Sequence, residues 1–189
     1  MVISFEGPDG VGKTTLTAAL LPHLPQPAIS LRCPGSTPLA EAIRKLVLDP
    51  ALKATSTELA LLFNAADLST LEHARGLSSF VVLDRCFLSD LAYRGAEHPA
   101  MGALSDHLTA LVGNRLPPKD VFYLRRPIDE IVARKALAKG DRFEGRGEAF
   151  LRKVHAEYEL LALRGLCVVV DLPSWDVEEC VRVLMGKIT

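Results

Sequence analysis

The chain reads as an α/β protein, a parallel sheet with helices on both faces. Three observations lead there. Short apolar runs rich in β-branched and aromatic residues alternate with segments of helical period. Those runs largely lack inside-outside alternation. The first of them leads directly into a glycine-rich loop of the kind that cradles phosphate.

In chain order the expected strands are "VISFE" (Val2–Glu6), "AISLR" (Ala28–Arg32), "FVVLD" (Phe80–Asp84), "VFYLR" (Val121–Arg125) and "CVVVD" (residues 167–171). Near-continuous apolar runs of this length suit strands buried on both faces. Helical period marks Pro38–Leu48, residues 57–77 and residues 148–163 between them. Pro22, Pro25 and Pro27 punctuate the turn into the second strand, and Pro117 and Pro118 precede the fourth. No internal repeat or low-complexity tract proposes a linker, so a single domain over residues 1–189 is expected.

Composition narrows the function classes. With 49% hydrophobic and 24% charged residues in 189, the chain can bury one sizeable core. A net charge of −1 lacks the basic signature of a nucleic-acid-binding protein, so any bound polyanion should be small and locally held. Cys33, Cys86, Cys167 and Cys180 form no CxxC pair and share no spacing with the histidines, which suggests neither a zinc site nor a disulfide framework. A reduced, cytoplasmic setting is expected. No apolar run reaches the roughly 18 residues needed to span a bilayer, so a soluble protein without a membrane partner is expected.

"FEGPDGVGKTT" (residues 5–15) carries the most chemistry. Gly7 and Gly12 let the backbone turn tightly and approach phosphate oxygens, with Gly10 between them in the loop. The N–H groups of Val11 and its neighbours, together with the start of a helix, offer donors and a positive dipole end to a polyanion. Lys13 would reach the β- and γ-phosphates from a solvent-exposed loop, and Thr14 would bind Mg²⁺, with Thr15 beside it. Asp9 sits inside the loop. The strand before and the helix after the motif argue against a chance match.

A phosphate loop alone leaves switch, motor and small-molecule kinase open. The second feature is "VVLDRCFLSDLAYRG" (residues 81–95), with an Asp-Arg pair at the carboxyl end of a strand, where ligands of open α/β sheets lie. Asp84 would hold a metal-bound water and Arg85 would grip a second phosphate bidentately; a structural ion pair is the competing reading. "LRCPGSTPLAEAIRKLVLD" (residues 31–49) brings Arg32 and Arg44 to the same side.

Together, "FEGPDGVGKTT", "RCPGSTPLAEAIRKLVLD", "ELALLFNAAD", "LDRCFLSDLAYRG" and "KGDRFEGRGEAFLRKVHAEYELLA" resemble the thymidylate kinases in order and spacing, over nearly the whole chain. The resemblance implies the P-loop NTPase fold, a five-stranded parallel sheet with a short lid at about residues 134–147. It also implies transfer of phosphate from ATP to dTMP, with Mg²⁺, commonly in a homodimer. By the same resemblance Asp9 faces the acceptor sugar and the metal shell. Arg85 and Arg44 clamp the acceptor monophosphate, with Arg32 and Pro34 alongside. Phe63 stacks on the base, although a lone helical phenylalanine would otherwise be read as core. Ser89 belongs to the substrate-binding set, and Tyr93 guards the sugar face, where its ring crowds a 2′-hydroxyl and favours deoxynucleotides.

Phosphoryl transfer needs cations that meet charge spreading over the transferred group, and the loop's variable positions hold no arginine. Bacterial-type members supply that charge from the lid, where "GDRFE" matches; Arg142 is the first candidate and Arg134 the second. A charge cluster of this kind is otherwise read as solvated surface. The lid is shorter than the family's usual run. Cys33 and Cys86 stand where the family has other residues and are expected to pack passively.

The largest departure concerns the base. In this family an arginine four residues after the stacking phenylalanine donates to the O4 carbonyl of thymine. Here that position is Asp67. The small polar residue that meets the N3 edge is Asp90. Two acceptor-only carboxylates suit a base with donors, guanine or another amino-bearing base, better than thymine. The alternative keeps dTMP, with Asp67 turned out to pair with an arginine. A GTPase switch would need an Asn-Lys-x-Asp motif, which is absent. A deoxynucleoside kinase would not need arginines around its acceptor site. A binding protein without catalysis is disfavoured by the presence of Lys13, Thr14, Asp84 and Arg85.

Overall fold

A computed structural model of the chain describes residues 1–49, 51–97, 107, 110, 116, 118–136 and 147–188. Five strands, β1 (Val2–Glu6), β2 (Ala28–Arg32), β3 (Phe80–Asp84), β4 (Val121–Arg125) and β5 (Val168–Asp171), form one sheet in the order β2-β3-β1-β4-β5. Every pairing is parallel. The described helices are α1 (Lys13–Leu20), α2 (Pro38–Leu48), α3 (Ser56–Arg75), α4 (Phe87–Glu97), α5 (Ile128–Ala136), α6 (Gly147–Leu163) and α7 (Val177–Ile188).

Alternate residues of the central strands feed two cores. Val81, Leu83, Val121 and Tyr123 pack with Leu71 of α3, Leu88 and Leu91 of α4 and Val154 and Tyr158 of α6. Val82, Phe122, Leu124, Ile3 and Phe5 pack with Leu16 and Leu20 of α1, Ile131 of α5 and Leu184 of α7. Covering both faces of β1, β3 and β4 explains their continuous apolar runs. The edge strands differ from expectation. β2 and β5 are only partly buried, because each lacks a neighbour on one side.

Local signals set the helix ends. Thr37 caps α2 by accepting from Ala40 N at 3.0 Å, with Pro38 at the first helical position. Thr55 and Glu58 form a capping box that opens α3. The Thr37 and Ser69 hydroxyls meet at 2.8 Å, and the Thr70 hydroxyl donates to Gly35 O and Ala66 O. These bonds fix the turn after β2 against α3.

Candidate active site

Connections from β1 run to one side of the sheet and those from β3 to the other, so the crevice opens at the carboxyl ends of β1 and β3. The loop after β1 turns through Gly7, Gly10 and Gly12, with φ of 142°, 90° and 106°. A side chain at such angles is strained. Gly12 also caps α1 without any side-chain hydrogen bond, which leaves the first N–H groups of the helix for an anion.

Lys13 departs from expectation by being buried, 6% exposed. Its Nζ donates to Gly7 O at 2.8 Å and Pro8 O at 3.0 Å, folded back along its own loop. Burial, with the Arg85 charge, pushes its amine down to about 7 against the pull of Asp9, Asp84 and Glu6. Thr14 Oγ1 donates to Asp84 Oδ2 at 2.6 Å, which joins the first turn of α1 to the end of β3. A hydroxyl and a carboxylate there are the hard oxygen donors that a small divalent cation takes alongside water and phosphate.

Arg85 has φ 74°, a strained angle for a non-glycine residue that costs on the order of 1–3 kcal/mol. The turn carries its guanidinium back over the phosphate loop. It pairs with Asp9 and donates to Gly7 O at 3.2 Å and Ser89 Oγ at 2.9 Å. It also lies 5.4 Å from the centre of the Tyr93 ring. Burial would raise the Asp9 carboxyl, but Arg85 and Lys13 overcome it and hold the group well below the usual carboxylate range. Lys135 Nζ stands 3.9 Å from the other oxygen of Asp9.

Two cavities meet here. One, of about 410 Å³, is lined by Lys13, Thr14, Thr15, Arg32, Asp84 and Arg134 among others. The second, of about 200 Å³, is lined by Pro34, Phe63, Asp67, Ser89, Asp90 and Tyr93 among others. Asp9, Cys33, Arg44 and Arg85 line both. The arginines therefore stand at the junction between the cavity over the glycine-rich loop and the one walled by Phe63 and Tyr93. Val11 behaves differently from its loop neighbours: its side chain is in the core and its carbonyl accepts from Arg126 Nε at 3.3 Å. Arg32 pairs with Glu41 at 2.7 Å and is half exposed. Arg44 donates to Pro34 O at 3.0 Å. Cys33 and Cys86 are buried against the core.

Asp67 and Asp90, both carboxyls in the cavity beside Phe63, are not equivalent. Asp90 pairs with Arg94 one turn on and accepts from Asn64 Nδ2 at 2.9 Å. Asp67, 3% exposed, forms no hydrogen bond among the described residues, so it has not turned out to an arginine. Burial, then Asp90 and Glu6, push its carboxyl well above the carboxylate range, with Arg94 offsetting only part.

Sequence reasoning missed several residues. Glu6, fully buried at the end of β1, accepts from Cys86 N at 2.7 Å, Ser89 Oγ at 2.6 Å and Tyr158 Oη at 3.3 Å. Burial raises its carboxyl to about 7. A charged residue closing an apolar strand was the signal available. Arg94 was visible in "LAYRG", but nothing local tied it to Phe63. The Trp175 ring lies between two guanidinium groups, Arg126 at 3.9 Å and Arg134 at 4.3 Å from its centre. Arg142 lies outside the described residues and remains a reading of the sequence.

A phosphate loop on a parallel sheet, with a hydroxyl-carboxylate corner beside it and arginines between two cavities, defines a P-loop phosphotransferase that moves a phosphate between two bound molecules. The sequence model described as Thymidylate kinase matches residues 5–181. A thymidylate kinase of Chlorobium chlorochromatii is 36% identical over 177 residues, covering 84% of this chain and 80% of its own. One of Fervidobacterium nodosum is 30% identical over 187 residues, covering 96% and 95%. The solved thymidylate kinase of Candida albicans, described as having broad substrate specificity, superposes with a TM-score of 0.78 at 21% identity, covering 99% of this chain and 90% of that one. That of Ehrlichia chaffeensis gives 0.73 at 24%, covering 100% and 98%. The chain belongs to the thymidylate kinase family. It is an enzyme that transfers phosphate from ATP to a nucleoside monophosphate.

Proposed function

We propose that the acceptor is dTMP and the product dTDP. The observation that carries this is the junction: Asp9, Arg44 and Arg85 line both cavities, so an acceptor monophosphate held there abuts a donor phosphate over Lys13. Phosphoryl transfer is catalysed chiefly by such positioning and by cations around the transferred group. Thr14 and Asp84 would hold Mg²⁺, which supplies charge neutralisation between the phosphates when bound. Arg85, aimed by Ser89 and Asp9, orients the acceptor phosphate. Tyr93, beside Arg85 and 6.0 Å from the Phe150 ring, walls the sugar. A single domain, a homodimer and a cytoplasmic setting belong to the same reading. Exposed Leu61, Leu160 and Leu163 are apolar side chains that a partner subunit would cover. Among the described residues no helix is long and apolar enough to cross a membrane.

A second reading is favoured by one observation: Asp67 is buried with no hydrogen-bond partner among the described residues, and a base bearing donors, dGMP or another amino-bearing deoxynucleotide, would satisfy it. The experiment is ADP release with a panel of nucleosides and deoxynucleoside monophosphates. dTMP turned over within about tenfold of the best substrate supports the first reading, whereas preference for another base beyond about a hundredfold rejects it. Turnover of nucleosides alone would reject a monophosphate acceptor altogether.

A further inference from the structure

Among the charged side chains that line the cavity with Phe63, the carboxyls of Asp67 and Asp90 and the guanidinium of Arg94 are unevenly satisfied. Arg94, on α4, is 4% exposed and lies 5.6 Å from the centre of the Phe63 ring. Asp90 and the Ser56 carbonyl, the latter at 2.8 Å, hold its two terminal nitrogens. Each of those nitrogens carries a second proton, and the buried Nε has no acceptor among the described residues. In the same cavity Asp67, on α3, has acceptor oxygens and no hydrogen-bond donor among the described residues. Unused donors and acceptors on side chains that line one cavity with Phe63 are what the polar edge of a planar ligand would satisfy.

We propose that Arg94 is the base-reading cation of this enzyme: it donates to the exocyclic carbonyl of the acceptor base while Asp67 accepts the adjacent ring N–H. The inference rests on the monophosphate-kinase reading of this cavity. It also corrects the picture drawn from sequence, in which two carboxylates faced the base and no donor did. Asp90 is not a base reader here; it aims Arg94. The donor expected on α3 is supplied by α4, and the acceptor expected on α4 is supplied by α3. A carboxyl in either protonation state keeps an acceptor oxygen, so the N–H contact does not depend on how Asp67 titrates. The edge selected is a carbonyl next to an N–H, as in thymine, uracil and guanine. Cytosine and adenine present an amino group where Arg94 needs an acceptor.

The test compares kcat/KM for dTMP, 5-methyl-dCMP, dCMP, dAMP and dGMP in wild type, Arg94→Gln and Asp90→Asn/Arg94→Gln. The paired variant removes both charges of the buried ion pair, in case Arg94→Gln alone strands Asp90 and fails to fold. dTMP and 5-methyl-dCMP differ only at the edge in question, so the wild-type comparison needs no variant. The expectation is a preference of at least about 10²-fold for carbonyl over amino bases in wild type, falling below about tenfold in the variants, since a glutamine amide presents either polarity. Equal use of dTMP and 5-methyl-dCMP by wild type overturns the proposal, as does an unchanged preference in a folded variant. In the latter case dTMP turnover would leave the proposed function standing. If wild type uses dGMP and not dTMP, that function fails, while loss of the dGMP-over-dAMP preference in the variants still upholds Arg94.

Discussion

The Thr14 hydroxyl donates to the Asp84 carboxylate at 2.6 Å although 70 residues separate them. The contact exists because β1 and β3 are parallel neighbours, which puts the loop after one strand beside the end of the other. Asp84→Asn keeps the size and hydrogen bonding of the side chain but removes the charge. Its expected effect is a higher Mg²⁺ concentration for half-maximal turnover, with a small change in Tm. An unchanged Mg²⁺ requirement would take Asp84 out of the metal corner.

Lys13→Met keeps the buried stem and removes the ammonium. Turnover should fall by at least about 10²–10³-fold, the loss typical of one preorganised electrostatic donor. Folding should persist, because burial disfavours that charge in the absence of phosphate. Near-wild-type kcat in the purified variant would remove Lys13 from the phosphate site.

The fold was legible because two local patterns, apolar runs and helical period, repeat along the chain with clear breakers between them. The phosphate loop was legible because its chemistry is contiguous from Gly7 to Thr15. Arg94 and Glu6 were not, for a physical reason: each acts through partners 31 or more residues away, Phe63 and Ser56 for Arg94, Cys86 and Tyr158 for Glu6. Lys13 was misjudged as exposed because burial of a loop depends on what packs over it. Asp67 and Asp90 looked alike in sequence and differ in the partners that reach them, a guanidinium and an amide for Asp90 alone.

Arg142→Ala should lower kcat by about 10²-fold with little change in the acceptor KM, as for a cation that acts in the transition state. Unchanged kcat would return Arg142 to the solvated surface and shift the search to Arg134, which lines the phosphate cavity.

Trp175 is the only tryptophan, so its emission is a clean local probe. Arg134 stacks on its ring and also lines the phosphate cavity. A nucleotide that draws Arg134 toward its phosphates should change the environment of the indole. Titration with ADP is expected to alter the emission in wild type and not in Arg134→Ala. The same change in both proteins would show that Arg134 does not link the two.

Glu6 gives the pH prediction. Its folded value of about 7 lies above the ordinary 4.5, raised first by burial and only partly offset by Ser89, Arg85 and Cys86. Below pH 4.5 the carboxyl is protonated in folded and unfolded chains alike, and Glu6 carries no ionisation penalty. Between 4.5 and about 7 the unfolded chain releases the proton while the folded chain keeps it, so stability falls as pH rises through that window. Above it the loss is complete, about 3 kcal/mol at roughly 1.4 kcal/mol per unit. Glu6→Gln cannot ionise, and its carbonyl still accepts from Cys86 N. Its Tm relative to wild type should therefore climb by about 5–10 °C between acid and neutral pH, whatever its offset at low pH. Parallel Tm curves for the two proteins would mean that Glu6 ionises as an ordinary carboxylate. The network through Ser89 to Arg85 would then hold a charge rather than a proton.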